Sequence, residues 1–209
     1  MTAETRMWGA DFWDSRYAGA GFRFGTDPSE FLTRNAHHLG EASNVLCVAD
    51  GEGRNSVWLA GQGHRVTAFD ASGVAMTKAR GLAREAGVTV AYRHSGIEDW
   101  DWSRPYDAVI AIFVQFAPPA LRDRFFGWMA QAVAPGGLLM LHGYAPRQVA
   151  YGTGGPGRQE HMYTETMLRD AFAGFDVRRF ADYDAELHEG SGHSGQSALV
   201  DFIARKPVD

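Results

Sequence analysis

The residues best placed to do chemistry sit in one short turn. An apolar run, NVLCVAD (44–50), leads into Asp50-Gly51-Glu52-Gly53-Arg54-Asn55 and then into a helical pattern. Glycines let a backbone approach a ligand closely, and the N–H groups at a helix start face whatever lies there. In an open parallel sheet this strand–turn–helix is where a nucleotide-like ligand binds. The next apolar strand, RVTAFD (65–70), ends in Asp70, 17 residues after Gly53 (70 − 53). A carboxylate at that strand end accepts hydrogen bonds from both hydroxyls of a ribose. The turn carries Asp50 and Glu52 against the single Arg54. Two carboxylates repel a pyrophosphate, and the third small residue of a dinucleotide fingerprint is only approximated by Ser56. A cationic or zwitterionic ligand suits the turn better.

A second set of reactive residues follows the later strands. Phe113, Gln115 and Phe116 lie at the end of the fourth strand, and His142 and Tyr144 at the end of the fifth. Tyr151, Arg158 and His161 flank a Gly-rich loop, and AELHEGSGH carries His188 and His193, five residues apart (193 − 188). An imidazole there accepts a proton or, once protonated, attracts an anion. The competing reading of His188 and His193 is a pair of solvated loop side chains. His188, Glu189 and His193 lack the helical i, i+4 spacing of a zinc motif, so no metal site is expected. His37, His38 and His64 read as surface residues. The single cysteine, Cys47, lies mid-strand in an apolar run and reads as an inert buried thiol.

The elements that must position these residues are legible from pattern. Asp27-Pro28-Ser29-Glu30 reads as a helix start with Asp27 as N-cap, running to about Leu39. Ser72 caps a helix with Ala75, Ala79, Leu82 and Ala86 on one face. VTVAYRH (88–94), YDAVIAIFVQF (106–116) and LLMLHGYA (138–145) read as strands three to five, with Ala134-Pro135-Gly136-Gly137 closing the helix before the fifth. Thr164 caps a helix with Leu168, Ala171 and Phe172 inward. VRRFADYDAEL and SALVDFIAR then form an antiparallel pair across a Gly/Ser-rich stretch. Nearly all-apolar strands alternating with amphipathic helices imply an α/β fold with a single doubly wound, mostly parallel sheet, plus a C-terminal antiparallel hairpin. Residues 1–40 form a cap segment and first helix, and 41–209 the Rossmann-like core of the same domain. The cap is rich in aromatics (Trp8, Phe12, Trp13, Tyr17, Phe22 and Phe24), which must pack over something.

Composition narrows the function. Twenty basic against 25 acidic residues give a net charge of −5, with no clustered Lys/Arg to bind nucleic acid. The longest apolar run, Ala108–Val114, is far too short to span a membrane. The N-terminus lacks the regions of a signal peptide, so a cytoplasmic protein is expected. Nothing in the sequence distinguishes a monomer from a homodimer. Glycine makes up 25 of the 209 residues, nearly double the average of roughly 7%. Most of the excess falls on loops at one edge of the expected sheet: Gly19, Gly21 and Gly25 in the cap, Gly51 and Gly53 in the turn, and others in the 151–157 loop and the final hairpin. The cap glycines predict a segment that closes over the ligand.

Several ordered motifs together resemble the class I S-adenosylmethionine-dependent methyltransferases, and specifically their tellurite-resistance and thiopurine-type branch. These are GEGRNSVWLA with G-x-x-V-T-A-F-D, A-P-G-G before strand five, YGTGGP before the last helix, and the opening WDSRYAGAGFRFGTDPSEFL. The resemblance implies S-adenosylmethionine as cofactor and transfer of its methyl group to a small-molecule acceptor, a thiol or chalcogen oxyanion. It implies cofactor contacts from Tyr17, Phe24, Asp50, Gly51, Gly53, Arg54, Asn55, Asp70, Ala71, Ser72, Ile97, Glu98 and Phe113, and acceptor-side catalysis by His188 and His193. Two departures stand out. Cys47 replaces a usual acid and Ala49 a usual glycine, so Asp50 is expected to take part of the missing acid's role. A non-catalytic binder of the adenosyl ligand is therefore the main alternative. An NAD-dependent oxidoreductase ranks below it, because no Tyr-x-x-x-Lys pair is present and Lys78 and Lys206 are the only lysines.

Overall fold

The computed structural model describes residues 9–208; Trp8 of the expected aromatic cap lies outside them. Seven strands form one sheet in the order β3-β2-β1-β4-β5-β7-β6. The chain divides into two compact units, Met1–Trp100 with Glu189–Ser191 and Asp101–His188 with Gly192–Asp209.

The first unit holds α1 (Ala10–Tyr17), α2 (Glu30–Asn35), β1 (Asn44–Val48), α3 (Arg54–Gly61), β2 (Arg65–Asp70), α4 (Gly73–Glu85) and β3 (Val90–His94). Its strands pair in parallel, with Val45 opposite Val66 and Ala68 opposite Tyr92. Val45, Leu46, Leu59, Ala68, Phe69 and Met76 fill the core, consistent with strands whose central residues are apolar throughout. Ser72 caps α4 as its type predicts, its Oγ accepting the Ala75 N–H at 3.0 Å. The inward stripe of α4 is Ala75, Met76, Ala79 and Ala83; Ala86, expected on that stripe, is exposed. Small residues on this stripe let α4 approach the turn before α3: a Cβ on Gly53 would lie 2.8 Å from the Ala79 Cβ.

α2 begins at Glu30, with Ser29 rather than Asp27 as its N-cap. Its first amides are satisfied from elsewhere in the unit. Ser29 N–H donates to Asn55 Oδ1 at 2.9 Å and Glu30 N–H to Glu189 Oε1 at 3.2 Å, which removes the need for a local cap. The helix then tightens into a 3₁₀ turn over Ala36–His38.

The second unit holds β4 (Tyr106–Ile112), α5 (Pro119–Ala132), β5 (Val133–Tyr144), α6 (Gln148–Tyr151), α7 (Glu165–Ala171), β6 (Asp176–Glu189, its last residue counted with the first unit) and β7 (His193–Arg205). β4 pairs β5 in parallel and β5 pairs β7 antiparallel, with Leu138 opposite Arg205 and Tyr144 opposite Leu199. Phe125, Phe126, Met129, Leu139, Phe172 and Phe202 fill the core. β4 stops short of the expected residue 116 because Phe113 turns into the left-handed region, at φ +57°. β5 instead starts early, running through the Ala-Pro-Gly-Gly stretch with a register shift between Tyr106 and Ala108. Thr164 caps α7 through the Met167 N–H at 3.2 Å. Leu168 and Phe172 are buried as expected, whereas Ala171 is exposed. The final strands extend into the Gly/Ser-rich stretch, leaving only Gly190–Gly192 as turn.

Gly53 combines φ +93° with that clash against Ala79, whereas Gly63 has φ +90° and open space around it. Urea unfolding should therefore find Gly53→Ala destabilised by about 3 kcal/mol, from backbone strain plus overpacking, and Gly63→Ala by about 1 kcal/mol or less. Equal losses would show that the close α4 contact has no energetic weight.

Candidate active site

The turn after β1 is wound tightly: Ala49, Gly51 and Gly53 take φ values of +48°, +62° and +93°. Its conformation is held from the end of β2. Asp70 Oδ2 accepts the Gly51 N–H at 2.9 Å and Oδ1 accepts the Ser72 N–H at 2.8 Å. Each carboxylate oxygen has two lone pairs, so one on each remains for a ligand hydroxyl. Asp50 is turned inward, accepting from the Ser56 hydroxyl, whose Oγ lies 3.0 Å from the Tyr92 hydroxyl. Burial is the main cause raising both acids, Asp50 to about 7 and Asp70 to about 6. Burial also pushes the Cys47 thiol well up, which keeps it protonated and inert.

The other residues expected at the cofactor divide into those facing this turn and those holding neighbouring chain. Tyr17, 5% exposed, brings its hydroxyl within 2.9 Å of where a Gly51 Cβ would lie. It stacks on Trp13 (6.0 Å between centroids) and meets Phe24 edge-on at 6.1 Å. Ser72 donates its hydroxyl to Asp14 of α1, which also accepts the Val74 N–H at 3.1 Å. The Ala71 carbonyl lies 2.8 Å from His94 Nε2. Ile97 is buried and Glu98 exposed. Arg54 and Asn55 spend their side chains on residues 24–30: Arg54 Nη1 donates to the Phe24 carbonyl at 3.3 Å, and Asn55 Oδ1 receives Ser29. Sequence reasoning read Glu52 only as negative charge in the turn; it is 4% exposed. It accepts the Arg23 N–H at 2.7 Å on one oxygen and Lys78 Nζ at 2.8 Å on the other. The available signal was an acid two residues after Asp50 and one of the chain's two lysines on α4.

In the second unit, Phe113 is the centre of an aromatic group. Its ring centroid lies 4.0 Å from His193, 4.8 Å from His142 and 4.8 Å from Tyr144. Gln115 fixes this group by donating to the Tyr144 carbonyl at 2.8 Å and accepting the Tyr144 N–H at 2.6 Å. His142 Nδ1 lies 2.8 Å from Asp201 Oδ1, and Asp201 Oδ2 receives Arg179 Nε and Nη2 at 3.0 and 2.9 Å. Burial works to raise the Asp201 carboxyl, but His142 and Arg179 outweigh it and hold it low. Of the two histidines expected to be catalytic, His193 is 8% exposed inside the aromatic group. His188 is 72% exposed, 4.0 Å from Glu186. Burial pushes the His161 imidazole down, while Tyr151 and Arg158 are exposed. Among the described residues no group of three His, Cys, Asp or Glu side chains is placed to hold a metal ion, and no helix is long and apolar enough to cross a membrane.

Residues 45–137 match the family model described as a methyltransferase domain. No curated protein sequence matches the chain. Solved structures share its fold. One is the protein in the work "Conversion of a Disulfide Bond into a Thioacetal Group during Echinomycin Biosynthesis", 18% identical with a TM-score of 0.78, aligned over 96% of this chain and 92% of that one. Another is magnesium protoporphyrin IX methyltransferase from Synechocystis PCC 6803 with bound SAH, 18% identical at TM-score 0.69, over 97% and 99%. A third is the N-methyltransferase NodS from Bradyrhizobium japonicum WM9 in complex with S-adenosyl-L-homocysteine, 14% identical at TM-score 0.70, over 95% and 98%. Residues 45–137 thus match a methyltransferase domain, and the fold is shared with S-adenosylmethionine-dependent methyltransferases. Neither likeness singles out the tellurite-resistance and thiopurine-type branch.

The first unit fits the cofactor of that class. Asp70 presents two oriented acceptors for ribose hydroxyls, Gly51 leaves a backbone face that a Cβ would crowd, and buried carboxylates with Tyr17 and Phe24 suit a ligand carrying positive charge.

The raised acids carry a pH signature. Unfolded carboxyls ionise near pH 4, so between about pH 4 and 7 the folded chain holds more protons at Asp50 and Asp70. Their contribution to stability is complete below pH 4 and is lost as pH rises through 6 and 7. In chemical unfolding, the stability of Asp50→Asn relative to wild type should therefore rise between pH 5 and 7. A pH-independent difference would contradict the burial of an ionisable Asp50.

Proposed function

We propose that the protein transfers the methyl group of S-adenosylmethionine to a small thiol. The cofactor when bound supplies an electrophilic methyl on a positive sulfur, which keeps the bonding pair and becomes a neutral thioether as the methyl departs. Asp70 orients the ribose through its two free lone-pair directions, and the backbone at Gly51 and Gly53 admits the methionine portion. Tyr17 and Phe24 offer ring faces to the sulfonium by cation–π attraction, worth about 0.5–2 kcal/mol. His193 receives the acceptor's proton as the new sulfur–carbon bond forms. Holding two reactants in place is the main source of rate in such a displacement, contributing about 7–11 kcal/mol.

The observation that carries the thiol over the chalcogen oxyanion is the Phe113–His193–Tyr144 group. It is aromatic and largely buried, and of its two imidazoles His142 is engaged by Asp201, which leaves His193 as the base beside Phe113 and Tyr144. An oxyanion would need positive charge, and Arg122, Arg147 and Arg179 are each bound by a carboxylate of their own unit. A thiol has an apolar body and one proton to lose, with a pKa near 8.5, about two units above that of an ordinary imidazole and far closer to it than an alcohol's. The sulfur chemistry named for the echinomycin-pathway structure is consistent with this choice.

S-adenosylhomocysteine should raise the melting temperature of the wild-type protein, and Asp70→Ala should weaken its binding about 10- to 100-fold, the worth of hydrogen bonds to a charged acceptor. In a methyl-transfer screen across thiols, selenite, tellurite, phenols and amines, thiols should turn over fastest, and His193→Ala should lower kcat on the best thiol about 100-fold. Preference for tellurite or selenite would reverse the acceptor assignment. Tight S-adenosylhomocysteine binding with no turnover on any acceptor would favour the non-catalytic binder.

A further inference from the structure

Glu189 is the last residue of β6, far in sequence from the first βα turn, and is only 8% exposed. Its Oε2 accepts Arg54 Nη2 at 2.6 Å, and its Oε1 accepts the Glu30 N–H at 3.2 Å. Arg54 is the first residue of α3, directly after Gly53 of the cofactor turn, and its other guanidinium nitrogen holds the Phe24 carbonyl. The next residue, Gly190, packs backbone against backbone: a Cβ there would fall 2.5 Å from the Arg23 carbonyl oxygen and 2.5 Å from the Gly25 nitrogen. Ser191 Oγ donates to the same Arg23 carbonyl at 3.3 Å. On the opposite side Glu52 takes the Arg23 N–H and Lys78, which also reaches the Gly21 carbonyl at 2.7 Å. Residues 21–30 are thus gripped by side chains from the cofactor turn and from residues 189–191.

We infer that Glu189 is a positioning residue for the cofactor: through Arg54 and the Glu30 amide it fixes Phe24 and its neighbours over the turn where the adenosyl ligand sits. The inference rests on the cofactor reading given above. A buried ion pair is weak evidence for net stability, because desolvation offsets much of its attraction. Its geometric effect is firmer. The pair holds a guanidinium that is carried on the first residue of α3 and donates to the Phe24 carbonyl, so losing the carboxylate releases the strap without touching Asp70, Gly51 or Tyr17. The consequence should appear in cofactor affinity rather than in the chemical step.

The test measures S-adenosylhomocysteine binding by calorimetry, and KM for S-adenosylmethionine against kcat, in wild type and Glu189→Gln. The expected result is a Kd and a KM at least tenfold higher, with kcat at saturating cofactor within threefold. Trypsin cleavage after Arg16 and Arg23 should also be faster in the liganded variant than in liganded wild type. Gly190→Ala, which leaves both charges in place and pushes residues 23–25 away, should give the same rise and serves if Glu189→Gln does not fold. A lowered melting temperature with unchanged Kd and KM in the folded variant would reduce Glu189 to a structural role and overturn the inference. Failure of wild-type protein to bind S-adenosylhomocysteine would instead overturn the cofactor reading beneath it.

Discussion

The Asp70 carboxylate, buried at the end of β2 and held between two backbone amides, is the constraint on which the rest of the first unit depends. By accepting the Gly51 N–H it ties the left-handed turn after β1 to the neighbouring strand, and by accepting the Ser72 N–H it sets the start of α4. A buried carboxylate is costly unless such donors satisfy it. In the proposed site the donors are also the backbone segments that would shape the ligand face, so binding geometry and local folding become one problem. Asp50, the other buried acid, is spent inward on the Ser56 hydroxyl, which itself lies against the Tyr92 hydroxyl.

The two units use different chemistry. The first concentrates carboxylates and their partners: Asp14, Asp50, Glu52, Asp70 and Glu189 all accept hydrogen bonds that place backbone or cap residues. Such a surround favours a ligand that carries positive charge and has hydroxyls to donate. The second concentrates rings, with Phe113 strained into the left-handed region among His142, Tyr144 and His193. A non-glycine residue with positive φ persists only where surroundings over-determine it, and the Gln115–Tyr144 backbone clasp supplies that determination.

Much of this architecture was legible in the sequence because it follows from local rules. RVTAFD forms β2 over those same six residues, and Ser72 and Thr164 cap their helices. The Gly-x-Gly turn and Asp70 meet as their spacing predicts, Asp70 accepting the Gly51 N–H. What sequence could not show was where a side chain reaches across long separations. Arg54 and Asn55 read as cofactor ligands from their place in the turn, whereas tertiary partners at Phe24, Ser29 and Glu189 claim their polar atoms. The same distant contacts moved the start of α2, since amides satisfied by Asn55 and Glu189 need no Asp27 cap. His188 and His193 looked alike in a Gly/Ser-rich stretch. Burial separates them, because the strands extend further than their composition suggests and bring only His193 against Phe113.

The most direct test is a crystal structure of the protein grown with S-adenosylhomocysteine. Both ribose hydroxyls should lie within hydrogen-bond distance of the Asp70 carboxylate, with the amino-acid portion over Gly51 and Gly53 and Tyr17 and Phe24 beside the sulfur. An adenosyl ligand bound away from Asp70, or none bound at millimolar concentration, would contradict the assignment of this turn as the methyl-donor site.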